Sequence, residues 1–273
     1  MYIKKSQEKL KDHRSLAVDS HNNTAQEFAG EYRSLAEHDY FASAFLFGRG
    51  KIDSLLYSTL DKVPKTHRVL DIGCGTGNQI HLIRKLGFEV SGIEPAENMR
   101  ALAKDMNPEV EILDGDIFDL PFEDHTFDFI LALEVLRYLD NEDILESYRQ
   151  MLRVLRPGGI IFFTMVNRFA LDGYFCYEKV MKLLGRLGII PQRAHCEFVT
   201  PTQVRNDLDS LGFSDVKTFG RLFLPIRLAY KLNLSLGQRL AKILNSFDDA
   251  ICKIPSTASF AGHLIVIARK GEI

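Results

Sequence analysis

The stretch "VLDIGCGTGN", residues 69–78, sets Gly73, Gly75 and Gly77 at alternate positions directly behind an apolar run. Glycine inside a regular element forfeits roughly 0.5–1 kcal/mol relative to alanine, so a loop this rich in it needs a reason. Either the turn is sharper than side chains allow, or something approaches the bare backbone closely. The apolar run before the loop and the helical pattern after it make a strand–loop–helix unit. In such a unit the backbone N–H groups at the helix start face a ligand.

The rest of the central chain repeats the theme. Apolar runs at 68–72, 89–93, 110–113, 127–132 and 159–166 alternate with helical stretches such as 78–86, 96–104 and 142–154. Near-continuous apolar strands alternating with helices predict an α/β fold, a doubly wound parallel sheet covered on both faces. With 273 residues the chain can bury a full core as one large domain, or as one domain with a cap.

The flanks read differently. Residues 1–30 are polar and are expected to be frayed or weakly helical, whereas 28–60 is aromatic and helical in rhythm, with Phe28, Tyr32, Tyr40, Phe41, Phe45 and Phe47. After Val166 two helices are expected, in "YFCYEKVMKLLGRLG" and "SLGQRLAKILNSFDDAICKI". In the second, Ser235 is placed as the N-cap, and Leu240, Ile243, Leu244, Phe247 and Ile251 line one face. Between them "TPTQVRNDLDSLGF" predicts a capped helix before a strand, and "HLIVIARK" predicts a closing strand. The expected organisation is an N-terminal helical lid at 1–59 and a sheet domain at 60–170 with 199–220 and 259–273. Helical cap insertions at 171–198 and 221–258 would receive the substrate.

Composition narrows the partners. A formal net charge of −2 argues against a nucleic-acid binder. The charged start "MYIKKSQEKLKDHR" has no apolar core, so neither a signal peptide nor an anchor is expected there. Cys74, Cys176, Cys196 and Cys252 show no CxxC pairing, which predicts a reducing, cytoplasmic setting and no zinc site.

Two ligand classes use a glycine loop of this kind. The dinucleotide pattern is G-x-G-x-x-G, and here Asn78 stands where its third glycine belongs. Asp71, just before the loop, suits an ammonium far better than a pyrophosphate. Glu94, at the end of the second strand, can accept from both hydroxyls of a ribose with either ligand.

At this point the residues resemble a family. "VLDIGCGTGN", "VSGIEPAENM", "DGDIFDLPF", "FDFILALEVLRYL" and "LRVLRPGGIIFF" look like the successive motifs of class I S-adenosylmethionine-dependent methyltransferases of the small-molecule, type 11-like kind. The resemblance is dense from 68 to 166 and looser at "HLIVIARK". It implies a Rossmann-like seven-stranded sheet whose last strand is antiparallel and inserted between two others. It implies S-adenosylmethionine as cofactor, with Asp71 orienting the glycine turn and holding the methionine ammonium. Gly73, Gly75 and Gly77, with the Cys74 backbone, would line the methionine and ribose. Glu94 would hold the ribose, and Pro95 and Met99 would lie against the adenine. Asp116 would accept from the adenine amino group beside the Ile117 N–H, and Leu133 would touch the methionine end. "RPGG" (156–159) would be the turn into the fifth strand.

A sulfonium brings its own electrophile, so the protein mainly has to align nucleophile, methyl and sulfur. A base matters only where the nucleophile must lose a proton. Relatives of this type often carry histidines where this chain has Arg137 and Tyr138. Glu134, Tyr138 and Tyr32 are therefore the candidate catalytic groups, with His38, Tyr40 and His195 as further lid or cap candidates, and His263 is read as structural. From 216 to 247 there are Lys217, Arg221, Arg227, Lys231, Arg239 and Lys242 and no acid. An apolar, basic cap predicts a lipophilic small-molecule acceptor of natural-product, isoprenoid/quinone or glycolipid type, with peripheral membrane contact through 217–242. The competing expectations are a non-catalytic S-adenosylmethionine-binding protein and an NAD(P)-dependent oxidoreductase; oligomeric state is left open.

Overall fold

A computed structural model describes residues 2–36, 40–191 and 194–272, and His38 lies outside the described residues. The strands are β1 (Arg68–Ile72), β2 (Glu89–Ile93), β3 (Ile112–Leu113), β4 (Phe127–Ala132), β5 (Leu155–Asn167), β6 (Phe198–Val199), β7 (Phe213–Arg221) and β8 (His263–Lys270). They form one sheet in the order β3-β2-β1-β4-β5-β8-β7, with β6 pairing the end of β5. β1 to β5 run parallel, and β8 is antiparallel to both β5 and β7. The Rossmann-like sheet with an inserted antiparallel last strand is therefore present, and β6 adds a short eighth strand.

Alternation along β1 explains why the strands are apolar on both faces. Leu70 and Ile72 enter one core cluster with Ile130, Ile161 and Phe163, roofed by α5 (Asn141–Val154) and α7 (Pro201–Leu211). Val69 enters the opposite cluster with Phe129, Phe162 and Ile265, beneath α2 (Ala44–Leu60) and α3 (Asn78–Lys85). α7 starts on Thr200, whose hydroxyl accepts from Gln203 N, and stops at the left-handed Gly212. One expectation fails here: "RPGG" lies inside β5 rather than before it. Gly158 has φ +73°, and the β4–β5 register shifts between Phe127 and Phe129. Between the pairs Phe127–Leu155 and Phe129–Ile160, β5 uses three residues more than β4, so the motif loops out of the ladder just before the continuously paired part of the strand.

Residues 2–30 are helical throughout. α1 runs from Tyr2 to Ala36 and packs Val18, Ala25 and Phe28 against Ala96 and Met99 at the start of α4 (Glu97–Met106). Asn22 Oδ1 accepts from Asn98 N at 2.9 Å and fixes its height.

The C-terminal insertion carries α8 (Ile226–Leu232) and α9 (Leu234–Cys252); α6 (Tyr174–Arg186) lies in the first insertion. α9 begins two residues earlier than expected, and Asn233 rather than Ser235 caps it, its Oδ1 accepting from Leu236 N at 3.0 Å. Its buried side is Gly237, Ala241, Asp248 and Cys252, whereas Ile243 and Phe247 of the expected inner face are 74% and 58% exposed. The polar groups decide this rotation. Asp248 Oδ1 accepts from Phe223 N and Leu224 N, and Lys51 of α2 reaches Asp249 at 2.5 Å and Asp248 at 3.7 Å. Burying that carboxylate without partners would cost more than exposing two apolar side chains. α2, α8 and α9 thus share one cluster around Phe47, Leu222, Ile226, Tyr230 and Ala241.

Candidate functional site

All three loop glycines are left-handed, with φ of +67° at Gly73, +56° at Gly75 and +79° at Gly77. That region costs a residue with a Cβ about 1–2 kcal/mol. At Gly73 a Cβ would also strike the Val135 side chain, and at Gly77 the Asn107 amide and the Ala103 backbone. The glycines are needed first for the turn itself. Gly73 N and Cys74 N both donate to the Ile93 carbonyl, at 2.8 and 3.0 Å, which ties the loop to the end of β2.

Glu94 completes that tie. Its Oε2 accepts from Gly75 N at 2.8 Å and its Oε1 from Ala96 N at 2.9 Å. One carboxylate therefore holds both the glycine loop and the start of α4, and each oxygen keeps a lone pair for a further donor. This corrects the role expected of Asp71: the side chain orienting the turn is Glu94. Asp71 is 3% exposed and accepts no hydrogen bond from the described residues. Burial pushes its carboxyl up to about 7, with Glu94 adding to the rise and Arg49 opposing it.

Both face a cavity of about 260 Å³ beyond the carboxyl ends of β1, β2 and β4. It is the place where open α/β sheets bind ligands. Gly73, Cys74, Gly75, Pro95, Met99, Asp116, Ile117, Leu133, Glu134, Tyr138 and Tyr32 all line it. Gly77 is the N-cap of α3 and sits just behind the wall, its carbonyl held by Asn107 Nδ2 at 3.0 Å. The Cys74 side chain turns inward into the core, where burial raises its thiol well above the ordinary range. Asp116 Oδ1 accepts from Phe118 N at 2.8 Å, an Asx turn that presents the rest of the carboxylate. Tyr40 and His195 stand away from the cavity: Tyr40 packs beside Gly50, and His195 Nε2 lies 3.0 Å from Glu197.

α1 and α2 supply the roof, and with it residues the sequence did not single out. Arg49 of α2 is 6% exposed; its Nε donates to Asp53 Oδ1 at 2.9 Å, while its Nη2 is buried with no hydrogen-bond partner among the described residues. Asp53 also accepts from Gln79 Nε2, and Tyr57 donates to Gln79 Oε1. Arg49 is thus a fixed cation among the residues lining the cavity, close enough to Asp71 to act on its charge. His21, Phe28, Tyr32 and Phe45 add an aromatic side, joined by edge contacts of 5.5 Å between Phe45 and each of Phe28 and Tyr32.

At the far end the backbone of Glu134 is left-handed (φ +60°), a strained conformation for a side chain. Its carboxylate accepts from Thr164 Oγ1 at 3.0 Å and from Arg137 Nη1 at 2.9 Å. Burial alone would raise its pKa, but His263, Arg137 and Thr164 together hold it at about 2. A carboxylate held that low is a fixed charge and a poor proton acceptor. His263 lies beneath it, Nδ1 3.4 Å from Oε1; Arg227 donates to Nε2 at 2.5 Å, so the ring proton sits on Nδ1. Burial holds His263 down at about 4.

A pH effect follows from Asp71. A cation bound beside it favours the ionised form, so binding releases a proton and tightens as pH rises through about 7. Calorimetric titration with S-adenosylhomocysteine, whose ammonium would sit there, is expected to show affinity rising from pH 6 to 8 and proton release near pH 7. In the free protein the sign is opposite. The folded state holds more protons than the unfolded one between about 4 and 7, so stability falls as pH rises across that window.

The sheet order with its inserted antiparallel last strand is that of the methyltransferase fold. Residues 70–163 match the family model described as a methyltransferase domain. A demethylmenaquinone methyltransferase from Staphylococcus aureus is 35% identical over 136 residues, 46% of this chain and 56% of that protein, so the match spans just over half of the relative's length. A ubiquinone biosynthesis O-methyltransferase from Vibrio parahaemolyticus is 28% identical over 172 residues, covering 60% of this chain and 71% of the relative. A crystal structure of an S-adenosylmethionine-dependent methyltransferase from Thermotoga maritima superposes with a TM-score of 0.56 over 92% of this chain and 99% of that one, at 20% identity, a likeness of fold.

Proposed function

We propose that the chain is an S-adenosylmethionine-dependent methyltransferase acting on a small lipophilic acceptor of quinone type. One observation carries the cofactor: the Asp71 carboxylate and Arg49 Nη2, both buried and neither hydrogen-bonded among the described residues, belong to residues that line one cavity with Glu94. An amino acid joined to a ribose fits that set, since Asp71 would take the ammonium, Arg49 the carboxylate and Glu94 the two hydroxyls. A pyrophosphate would instead bring its charge against two carboxylates. When bound, the sulfonium supplies the methyl group in an already activated form. The protein's own part is to hold the acceptor in line with it, to exclude water, and to find a place for a proton where the nucleophile carries one.

The acceptor end supports the quinone reading. A planar ring suits the aromatic side formed by His21, Phe28, Tyr32, Phe45 and Tyr138, and the two quinone methyltransferases named above are similar to this chain. The test is transfer of radiolabel from S-adenosylmethionine to a short-chain demethylmenaquinol. Full-length protein is expected to label it, and removal of residues 1–36 to abolish labelling, because α1 carries Val18, His21, Phe28 and Tyr32 of the cavity wall. A cut at residue 50 would be a poorer variant, since it strips Arg49 from the buried Asp53. Cofactor binding with no labelling of any quinol tried would favour the non-catalytic reading.

Membrane contact is also proposed, on a narrower footing than 217–242 as a whole. Arg227 is committed to Asp172 and His263, and Lys217 to Asp215. Arg239 and Lys242 stand exposed on α9 beside Leu236, Ile243 and Phe247, which project from the same side. An apolar stripe flanked by cations suits an anionic bilayer surface. Among the described residues no helix is long and apolar enough to cross a membrane. Arg239→Glu with Lys242→Glu is expected to release the protein from phosphatidylglycerol vesicles in flotation; unchanged flotation removes the contact.

A further inference from the structure

The cavity contains a group with the free lone pair that a general base needs, and it is none of the three candidates named from the sequence. His21 stands on α1 with Nδ1 2.8 Å from the carbonyl oxygen of Ala17, one turn earlier. A carbonyl can only accept, so Nδ1 carries the ring hydrogen and Nε2 is left with its lone pair. Nε2 makes no hydrogen bond to the described residues, and the ring lines the same cavity as the glycine loop. The ring is also held in place: it meets Tyr138 edge-on at 5.4 Å and tilts against Phe28 at 5.9 Å. A tautomer fixed by one backbone bond, an immobilised ring and an open Nε2 are the features of a positioned proton acceptor.

We propose that His21 Nε2 is the general base of the reaction, taking the proton from an acceptor hydroxyl as that oxygen is methylated. The proposal rests on the methyl-transfer reading above. The electron balance is closed. The acceptor oxygen uses a lone pair to form the new C–O bond, and the C–S bond breaks with its pair going to sulfur. The acceptor O–H proton passes to Nε2, and the imidazolium returns it to water when product leaves.

The surroundings favour a neutral ring before the step. Burial lowers the His21 pKa below its ordinary value, the Ala17 hydrogen bond opposes this, and Arg137 lowers it further. The ionisable groups facing it or sharing its cavity are Arg137 and Tyr138 on the turn after β4, Tyr32 on α1, Arg49 on α2, and Asp71, Cys74, Glu94, Asp116 and Glu134. Tyr138 and Tyr32 have pKa values raised by burial, so both stay protonated and can donate but not accept a proton. Glu134, held at about 2, is the weaker base.

The first measurement needs no acceptor. Long-range ¹H–¹⁵N spectra of the protein with S-adenosylhomocysteine at pH 7.5 are expected to show His21 as the Nδ1–H tautomer, titrating below the ordinary histidine range. An Nε2–H tautomer, or an imidazolium at that pH, overturns the proposal, whatever the fate of the methyl-transfer reading. The second follows methyl transfer to the oxygen of a short-chain prenylated catechol, an acceptor of the same quinol class that carries the hydroxyl this step needs. His21→Gln is expected to lower kcat by roughly 10²–10⁴-fold, to leave the calorimetric Kd for S-adenosylhomocysteine within about twofold, and to remove the acid limb of the pH profile. Imidazole added to His21→Ala should restore part of the rate, which a packing role would not allow. A His21→Gln enzyme with unchanged kcat and pH profile would contradict the assignment. Failure of the parent to bind S-adenosylhomocysteine would contradict the underlying reading instead.

Discussion

Replacing Arg49 by methionine is expected to cost about 3–5 kcal/mol of folding stability, because it strands Asp53 as an uncompensated buried charge. The two side chains are 6% and 2% exposed and meet at 2.9 Å within one turn of α2. Burial pushes the Asp53 carboxyl up, and the Arg49 guanidinium beside it opposes that rise. Urea unfolding measures the loss. A paired variant, Arg49→Met with Asp53→Leu, separates the two roles of the arginine. It should recover most of the stability, since apolar replacement of a buried pair is often neutral, and it should still bind S-adenosylhomocysteine weakly. Full recovery of both stability and affinity would mean that Nη2 does not serve the ligand.

The second large effect is expected at the acids. Glu94→Ala and Asp71→Ala should each weaken S-adenosylmethionine binding by about 1.5–3 kcal/mol, a drop of roughly 10- to 150-fold. The two variants should part in their stability. Glu94→Ala also orphans Gly75 N and Ala96 N, so its thermal midpoint should fall. Asp71→Ala removes a buried acid that no described residue donates to, so that midpoint should hold or rise. Unchanged cofactor affinity in both would mean that the ligand lies elsewhere.

The contrast between these residues shows what the sequence made legible. Asp71 and Glu94 flank apolar strands whose period and order could be read directly, so their positions at the strand ends followed from the pattern. The division of labour between them did not. Which acid ties down the glycine turn depends on where β2 ends relative to Gly75, a matter of a few ångströms that no spacing encodes. Arg49 lies in an aromatic helical stretch where an arginine looks like surface charge; only the fold of α2 onto the glycine side buries it. His21 is a subtler miss. Ala17, His21, Ala25, Phe28 and Tyr32 recur at helical intervals, a stripe that was present but hidden by its small residues and by the polar run around it. α9 shows the converse. Its apolar periodicity was clear, yet the buried Asp248 and its partners turned the helix away from the expected face.

The central claim is that the cavity is built for an amino acid joined to a nucleoside and not for a dinucleotide. Calorimetric titration of the full chain with S-adenosylhomocysteine, and in parallel with NADH, tests it most directly. One equivalent of S-adenosylhomocysteine is expected to bind, more tightly at pH 8 than at pH 6, with no heat from NADH that S-adenosylhomocysteine abolishes. Saturable binding of NADH, with none of S-adenosylhomocysteine at either pH, would contradict it.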